Sequence, residues 1–408
     1  MNTLNMWFCC FGVALLVGGG GHRATGNGES SLHERAVRLA RQYGIIDTHI
    51  DAPGRLYDSL ADISRRSTIG EFDYERAREG GLLVPFMSIY TSSNLEGTGK
   101  SKPLAEALIT LVEKLARRSP GKFVLVKSVA DVMHYARSGK VLLAMGMENG
   151  SPLEGNLDNV RYFYNRGIRY ITLAHAKWNH LCDGSFDKER HWNGLSPFGR
   201  EVVVEMNRLG LMVDISHLTD SAATQVLRLS KAPVIASHSS CRFFTPGFER
   251  NMSDTLIRQL AAAGGVIQIN FGSYFLSTKA TQQGDEQDQR FDEFLREHHV
   301  GPKDSLAQQF MERYRREHPL IRGTVADVAD HIDHVVKLVG IDYVGIGSDY
   351  EGVGTLPVGL ENVSRYPNLI EELLKRGYTD EMIGKICSGN LLRVWSAVER
   401  VAQDRGRQ

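Results

Sequence analysis

Two pairs of residues in this chain have the type and spacing of a divalent-metal chelate: His49 with Asp51, and His331 with Asp333. Imidazole nitrogen and carboxylate oxygen, without thiolate, are the ligands of catalytic zinc and related ions that keep one coordination position open. The chemistry open to such a site is hydrolysis, because a bound ion acidifies water and polarises a carbonyl. The two pairs differ in setting. His49 lies in Ile45-Ile-Asp-Thr-His-Ile-Asp51, an extended run in which residues two apart point the same way. His331 lies in Val325 to Val339, whose helical periodicity turns residues two apart onto different faces, so this pair is expected on a helix surface and not around an ion. His331 with His334, three apart, is the weaker option there.

Further candidates are Glu148, His175, His217, His238 and Asp349. A single such residue is ordinarily a cap or a hydrogen-bonding group. What gives these weight is that each follows, or ends, a short apolar or β-branched run. Glu148 comes directly after Leu142-Leu-Ala-Met-Gly-Met147 and precedes Asn149-Gly150. It can bridge two ions, one placed by His49 and Asp51 and the other by His217 and His238; its alternative is to cap the following turn. Two ions a few ångströms apart would hold a hydroxide at neutral pH, which is what amide hydrolysis requires.

Residues so scattered need a scaffold that gathers them. Eight runs read as strands: Ile45 to His49, Leu83 to Tyr90, Val141 to Met147, Tyr170 to His175, Met212 to Ser216, Val234 to His238, Val266 to Phe271 and Tyr343 to Asp349. Amphipathic stretches between them read as helices: Pro103 to Arg118, Phe198 to Leu209, Asp220 to Ser230, Ser253 to Ala263 and Val325 to Val339. Eight strand–helix units predict an α/β fold, a closed (β/α)8 TIM barrel, whose active-site residues gather at the C-terminal ends of the strands. The gap between the seventh and eighth runs is too long for one crossover. Its charged stretch 282–322, with Phe291, Phe294, Leu295, Phe310 and Tyr314, is predicted as a helical insertion, at a subunit contact or over the pocket. Helices over 368–375, 379–386 and 391–401 are expected to close a single catalytic domain, residues 31–402, leaving 403–408 as a tail.

Composition excludes several partners. Lys plus Arg number 48 and Asp plus Glu 48, so no basic field recommends nucleic acid; small molecules or copies of the chain are the expected partners. Of five cysteines, Cys9 and Cys10 lie in an apolar N-terminal stretch, and Cys182, Cys241 and Cys387 make neither a disulfide framework nor a zinc knuckle. Met6 to Leu16, followed by Val17 and Gly18 to Gly21, has the look of a secretory signal and is short for a bilayer. No Lys or Arg precedes it in a signal-like n-region and no small-x-small site follows, so a disordered tail is the alternative. Residues 1–30 are expected outside the fold, and the protein is expected in the periplasm or outside the cell, or in the cytoplasm if the segment is not a signal.

With these residues in place, the sequence resembles the membrane (renal) dipeptidase family of amidohydrolase-like metal-dependent barrels, from about Ile45 to Trp395. The resemblance is carried by Ile46-Asp-Thr-His-Ile-Asp51, Gly146-Met-Glu148, Thr172-Leu-Ala-His175, Gly194-Leu-Ser-Pro-Phe-Gly199, Val213-Asp-Ile-Ser-His217, Val234-Ile-Ala-Ser-His-Ser-Ser240, Val344-Gly-Ile-Gly-Ser-Asp349 and Gly389-Asn-Leu-Leu-Arg-Val-Trp395. It implies a dipeptidase with two Zn2+, for which Mn2+ or Co2+ can substitute. By resemblance His49 and Asp51 hold one ion, His217 and His238 the other, and Glu148 bridges. His175 contacts the scissile carbonyl, and Arg250 grips the substrate's free carboxylate, with Arg242 in the same loop as the alternative. Asp349 shuttles the proton from the bridging water to the leaving amine. A homodimer is also implied. No equivalent of the disulfides and lipid anchor of mammalian members is expected, because the body has three scattered cysteines and 401–408 is charged and not an apolar anchor signal. Two other functions stay open: a related metal hydrolase of N-acyl amino acids, lactones or β-lactams, and a catalytically silent barrel used for binding, against which the complete ligand set stands.

Overall fold

The computed structural model describes residues 31–405. Its strands are β1 (Ile45–Ile50), β2 (Leu82–Tyr90), β3 (Phe123–Leu125), β4 (Val141–Glu148), β5 (Ile168–Thr172), β6 (Met212–Asp214), β7 (Ile235–Ser239), β8 (Val266–Ile269) and β9 (Val344–Ile346). All pairings are parallel, in the order β2-β1-β9-β8-β7-β6-β5-β4, and β2 pairs with β4 to close the ring. This is the (β/α)8 barrel expected from the eight runs. β3 was not foreseen. It pairs only with β4, outside the closed ring, and three residues are too few to show a period.

Barrel strands are covered on both faces, by side chains inside and helices outside, so they read as continuous apolar runs. β1 and β4 are buried at every position. Inside, Ile46, Phe86, Leu142, Tyr170, Met212 and Val266 pack with Trp395 and Val394 of the last helix, Asn390–Arg405, which closes one end. The expected domain end at 402 falls within that helix. The chain closes through helices Tyr366–Lys375 and Asp380–Gly384 and a π turn at Lys385–Gly389. Cys182, Cys241 and Cys387 are free and buried. No helix among the described residues is long and apolar enough to cross a membrane. The signal-like residues 1–30 lie outside the described residues, as do 406–408.

Helices Thr278–His298 and Ser305–Glu317 form the insertion between β8 and β9, beginning a few residues before the charged stretch. Helix Val325–Val339 follows with the predicted bounds. The expected surface position of His331 on it is wrong: the residue is fully buried. The backbone N–H of Cys241 donates to its Nδ1 at 2.9 Å, and its Nε2–H donates to the Leu276 carbonyl at 3.1 Å. Both ring nitrogens are thus satisfied by loops that follow β7 and β8, which is what allows an imidazole inside. Asp333 turns to Arg376 at 2.9 Å and His334 to Asp254 at 2.8 Å, so none of these residues shares an ion with His331.

Burial lowers the His331 pKa to about 4. An unfolded imidazole titrates near 6.5, so as pH falls from about 6.5 towards 4 the unfolded state takes up the proton first and stability is lost. Between pH 7 and pH 5 the loss from this group is about 2 kcal/mol. Urea titrations at both pH values should show that part of the loss missing in His331→Asn; equal pH dependence in the two proteins would contradict it.

Candidate metal centre

The C-terminal ends of the strands bring the candidates into one buried cup. His49 is the penultimate residue of β1 and Asp51 follows the strand; Glu148 ends β4; His238 lies in β7; and His175, His217 and Asp349 stand in the turns just after β5, β6 and β9. His217 and Asp349 adopt φ of +69° and +63°, a left-handed conformation that non-glycine residues take only where the surroundings enforce it.

Glu148 is the centre. Its Oε1 lies 3.1 Å from His217 Nε2, 3.4 Å from His238 Nε2 and 3.5 Å from His175 Nε2, and its Oε2 lies 3.4 Å from His49 Nε2. His49 Nε2 is also 3.4 Å from Asp51 Oδ2. Most of these spacings are long for hydrogen bonds. They suit ligands around an ion, since atoms each about 2.1 Å from a tetrahedral centre stand about 3.4 Å apart. Three groups of ligand atoms lie within 4.8 Å of one another: His49, Asp51 and Glu148; Glu148, His175 and His217; and His49, His238 and Asp349. His175 thus stands beside His217 as well as the bridging carboxylate.

The tautomers test whether a cation fits. Tyr170 donates its hydroxyl hydrogen to the Thr48 carbonyl at 2.9 Å and therefore accepts from His49 Nδ1–H at 2.8 Å. The Ser237 hydroxyl donates to Asp214 and accepts from His238 Nδ1–H at 2.7 Å. In both histidines the Nε2 lone pair is left facing Glu148. Among the described residues His49 Nε2 has no hydrogen-bond partner, and His238 Nε2 stands 2.8 Å from His217 Nε2. Bare lone pairs aimed at a buried carboxylate are unfavourable unless positive charge lies between them. Burial lowers the His49 pKa, but Tyr170, Asp51 and Glu148 together hold it well above 6.5, so the cup calls for a cation or a proton. Burial, with Arg250 and neighbouring histidines, holds His217 and His238 well below 6.5, in the neutral form that binds metal. Burial alone would raise the Glu148 carboxyl; the histidines around it hold it well below the usual range.

Several residues that hold the cup in shape were not singled out by sequence. Asp214 accepts from the backbone N–H of Ser216 and Ser237, at 3.0 and 2.8 Å, and from the Thr172 hydroxyl, tying together the ends of β5, β6 and β7. Asp47 accepts from the N–H of His49 and of Ser348, each at 3.0 Å, and from the Tyr366 hydroxyl, tying β1 to β9. Asn270 donates to Asp349 Oδ2 at 2.7 Å. An aspartate inside an apolar strand two or three residues before a histidine, Asp47 before His49 and Asp214 before His217, was the available signal. Gly146 leaves room for the Tyr170 ring, which a Cβ would meet at 2.0 Å, and Gly352 lets the loop after β9 lie over Asp51 and Asp349.

Tyr170→Phe keeps the ring and removes only the acceptor that sets the His49 tautomer. Loss of such a supporting contact is expected to weaken metal binding about 10–100-fold. Chelator competition would measure it, and unchanged affinity would show that His49 needs no such support.

Arg250 and Arg242 are separated by the fold. Arg242 makes two 2.7 Å bonds to Asp220 and donates to the Asn251 and Glu249 carbonyls. Arg250 is buried beside the cup: its Nη2 lies 3.0 Å from His217 Nε2 and donates to the His238 carbonyl at 2.8 Å, and its Nη1 donates to Ser239 at 3.1 Å. Its Nε has no partner among the described residues. Burial lowers its pKa to about 10, so it is charged at neutral pH.

Comparison with known proteins identifies the family. The family model described as membrane dipeptidase, peptidase family M19, matches residues 33–408. Dipeptidase 3 of Mus musculus is 31% identical over 381 residues, covering 91% of this chain and 68% of that protein. A dipeptidase of Aspergillus oryzae is 32% identical over 342 residues, covering 82% and 71%. The crystal structure of a probable dipeptidase from Pseudomonas aeruginosa superposes with a TM-score of 0.78 at 26% identity, covering 91% of this chain and 99% of that one. A barrel whose strand ends converge on one metal-ligating cup, matched along almost its whole described length by one family, leads to a single assignment: the chain belongs to the membrane dipeptidase family, peptidase family M19.

Proposed function

We propose that this metal-dependent dipeptidase works with two zinc ions, replaceable by Mn2+ or Co2+, held by His49 and Asp51 on one side and His217 and His238 on the other, with Glu148 between them. The observation that carries this most is the pair of Nε2 atoms of His49 and His238, the first without a hydrogen-bond partner among the described residues and the second shared with His217, each turned to Glu148 by a hydrogen bond at its own Nδ1. A nitrogen and oxygen ligand set without thiolate suits these ions. When bound, they supply an acidified water and a polarised carbonyl.

The chain's own residues do the rest. Arg250 takes the dipeptide's terminal carboxylate on its guanidinium fork. A carboxylate held there, beside His217, would lie one residue past the scissile bond, a geometry that favours dipeptides over longer chains. His175 binds the carbonyl oxygen and stabilises the charge that develops on it. Burial lowers the His175 pKa, so the ring is neutral at pH 7. Asp349 takes the proton of the attacking water and delivers it to the departing amine. With the protein's own groups alone, burial, together with Asp51 and Glu148, pushes its pKa up to about 7; beside the attacking water its carboxylate is placed to accept a proton and give it back. Two free amino acids leave. The signal-like run Met6 to Leu16 supports export, and homodimerisation rests on the family resemblance.

The test is turnover by the zinc-loaded protein of L,L- and L,D-dipeptides, with tripeptides as the negative control. Dipeptides should be cleaved and tripeptides spared. In Arg250→Ala, kcat/KM for dipeptides is expected to fall on the order of 100-fold or more, the loss of a buried charge-assisted pair. Faster turnover of lactones, β-lactams or N-acyl amino acids than of any dipeptide would favour the related hydrolase instead.

A further inference from the structure

The loops after β5, β7 and β8 carry a strip of aromatic rings along one flank of the cup. It begins at Phe186, whose ring centroid is 6.3 Å from that of His217 and which is 40% exposed. Phe248 follows, 5.7 Å from Phe186, and then Phe275, 6.1 Å from Phe248. The strip ends under Arg250, whose guanidinium carbon lies 5.2 Å from the Phe275 ring centre. Three segments distant in sequence thus meet to lay an apolar surface between a histidine of the cup and the arginine.

We propose that Phe186, Phe248 and Phe275 form the subsite for the side chain of the substrate's C-terminal residue, and that they select a large apolar or aromatic side chain there. This rests on Arg250 holding the terminal carboxylate. A carboxylate held there leaves the side chain on the adjacent carbon within reach of the rings on which the guanidinium itself lies. Rings in offset or edge-on contact form a surface that favours another ring or a branched alkyl group and gains nothing from glycine. A well-packed apolar side chain in such a pocket is worth about 10–100-fold in kcat/KM.

The charged insertion braces this subsite. Phe248 packs edge-on against Tyr274 at 5.3 Å, and the Tyr274 hydroxyl donates to Asp285 on helix Thr278–His298. Gly284 of the same helix lies so close that a Cβ would come 2.4 Å from the Tyr274 ring. The insertion therefore sets the position of the strip without touching a metal ligand, and it belongs to substrate choice.

The experiment measures kcat/KM of the zinc-loaded protein for Ala-Gly, Ala-Ala, Ala-Leu and Ala-Phe, with calorimetry of free L-phenylalanine and free glycine alongside. Ala-Leu and Ala-Phe should exceed Ala-Gly by about 10–100-fold, and L-phenylalanine should bind more tightly than glycine. Phe186→Ala, Phe248→Leu and the brace variant Gly284→Val should each shrink the Ala-Phe to Ala-Gly ratio several-fold with full metal content, whereas Phe243→Ala, an exposed ring outside the strip, should leave the ratio alone. A flat series in the wild type, or an equal loss on every substrate in the strip variants, overturns the subsite. Absence of turnover on every dipeptide overturns the reading beneath it, and the calorimetric comparison still decides the subsite in that case.

Discussion

Asp349→Asn is expected to lower kcat by roughly 100- to 10,000-fold, the usual share of a positioned proton carrier, while metal content and substrate KM stay close to those of the wild type. Few substitutions isolate a proton so cleanly. Asparagine has nearly the same shape, can accept the 2.7 Å bond that Asn270 donates to Asp349 Oδ2, and is among the residues that tolerate the left-handed backbone of this position, where φ is +63°. What it cannot do is take a proton from water and return it to an amine. Metal analysis together with steady-state kinetics on one dipeptide decides the matter. Turnover within a few-fold of the wild type would remove Asp349 from the proton path, and loss of metal would make it a ligand instead, an outcome its grouping with His49 and His238 makes worth measuring.

Glu148→Gln should be more damaging still, because it removes the group on which both halves of the cup converge. The Glu148 carboxylate lies within 3.5 Å of His49, His175, His217 and His238. Two divalent ions a few ångströms apart repel strongly in a buried site unless an anion lies between them. An amide occupies the same space without the charge. The expected result is retention of at most one ion and activity reduced to background. Heat denaturation supplies a readout independent of turnover: a ligand that binds only the folded state stabilises it by about 4 kcal/mol at a thousand times its Kd. Added zinc should therefore raise the melting temperature of the chelator-treated wild type by several degrees and that of Glu148→Gln far less. An equal zinc-dependent rise in both proteins would show that Glu148 does not bridge.

The sequence by itself determined the barrel and the chemical identity of its rim. Strands covered on both faces are largely apolar, so all eight of the ring stood out as runs, and the candidate metal-binding groups stood at or just beyond their C-terminal ends, where a barrel gathers its site. The extended setting of His49 and Asp51 against the helical setting of His331 and Asp333 was enough to separate a pair that converges with Glu148 on one candidate ligand group from a pair whose side chains part.

Tertiary structure decided what depends on partners brought from far along the chain. The His49 tautomer is set by Tyr170, 121 residues away, and Asp47 is held by Tyr366, 319 residues away. Nothing in local spacing announces such pairs. Arg242 and Arg250, side by side in one loop by sequence, are likewise told apart only in the fold, where Asp220 takes the first and the second faces the cup. His331 shows the limit most plainly. Periodicity located its helix to the residue, but amphipathicity describes only how polar groups are spaced around a helix. It cannot tell that the loops after β7 and β8 cover His331 and supply a backbone donor and acceptor for its two nitrogens. Local sequence records which chemistry a residue carries, while what satisfies a buried polar group is a property of the folded chain.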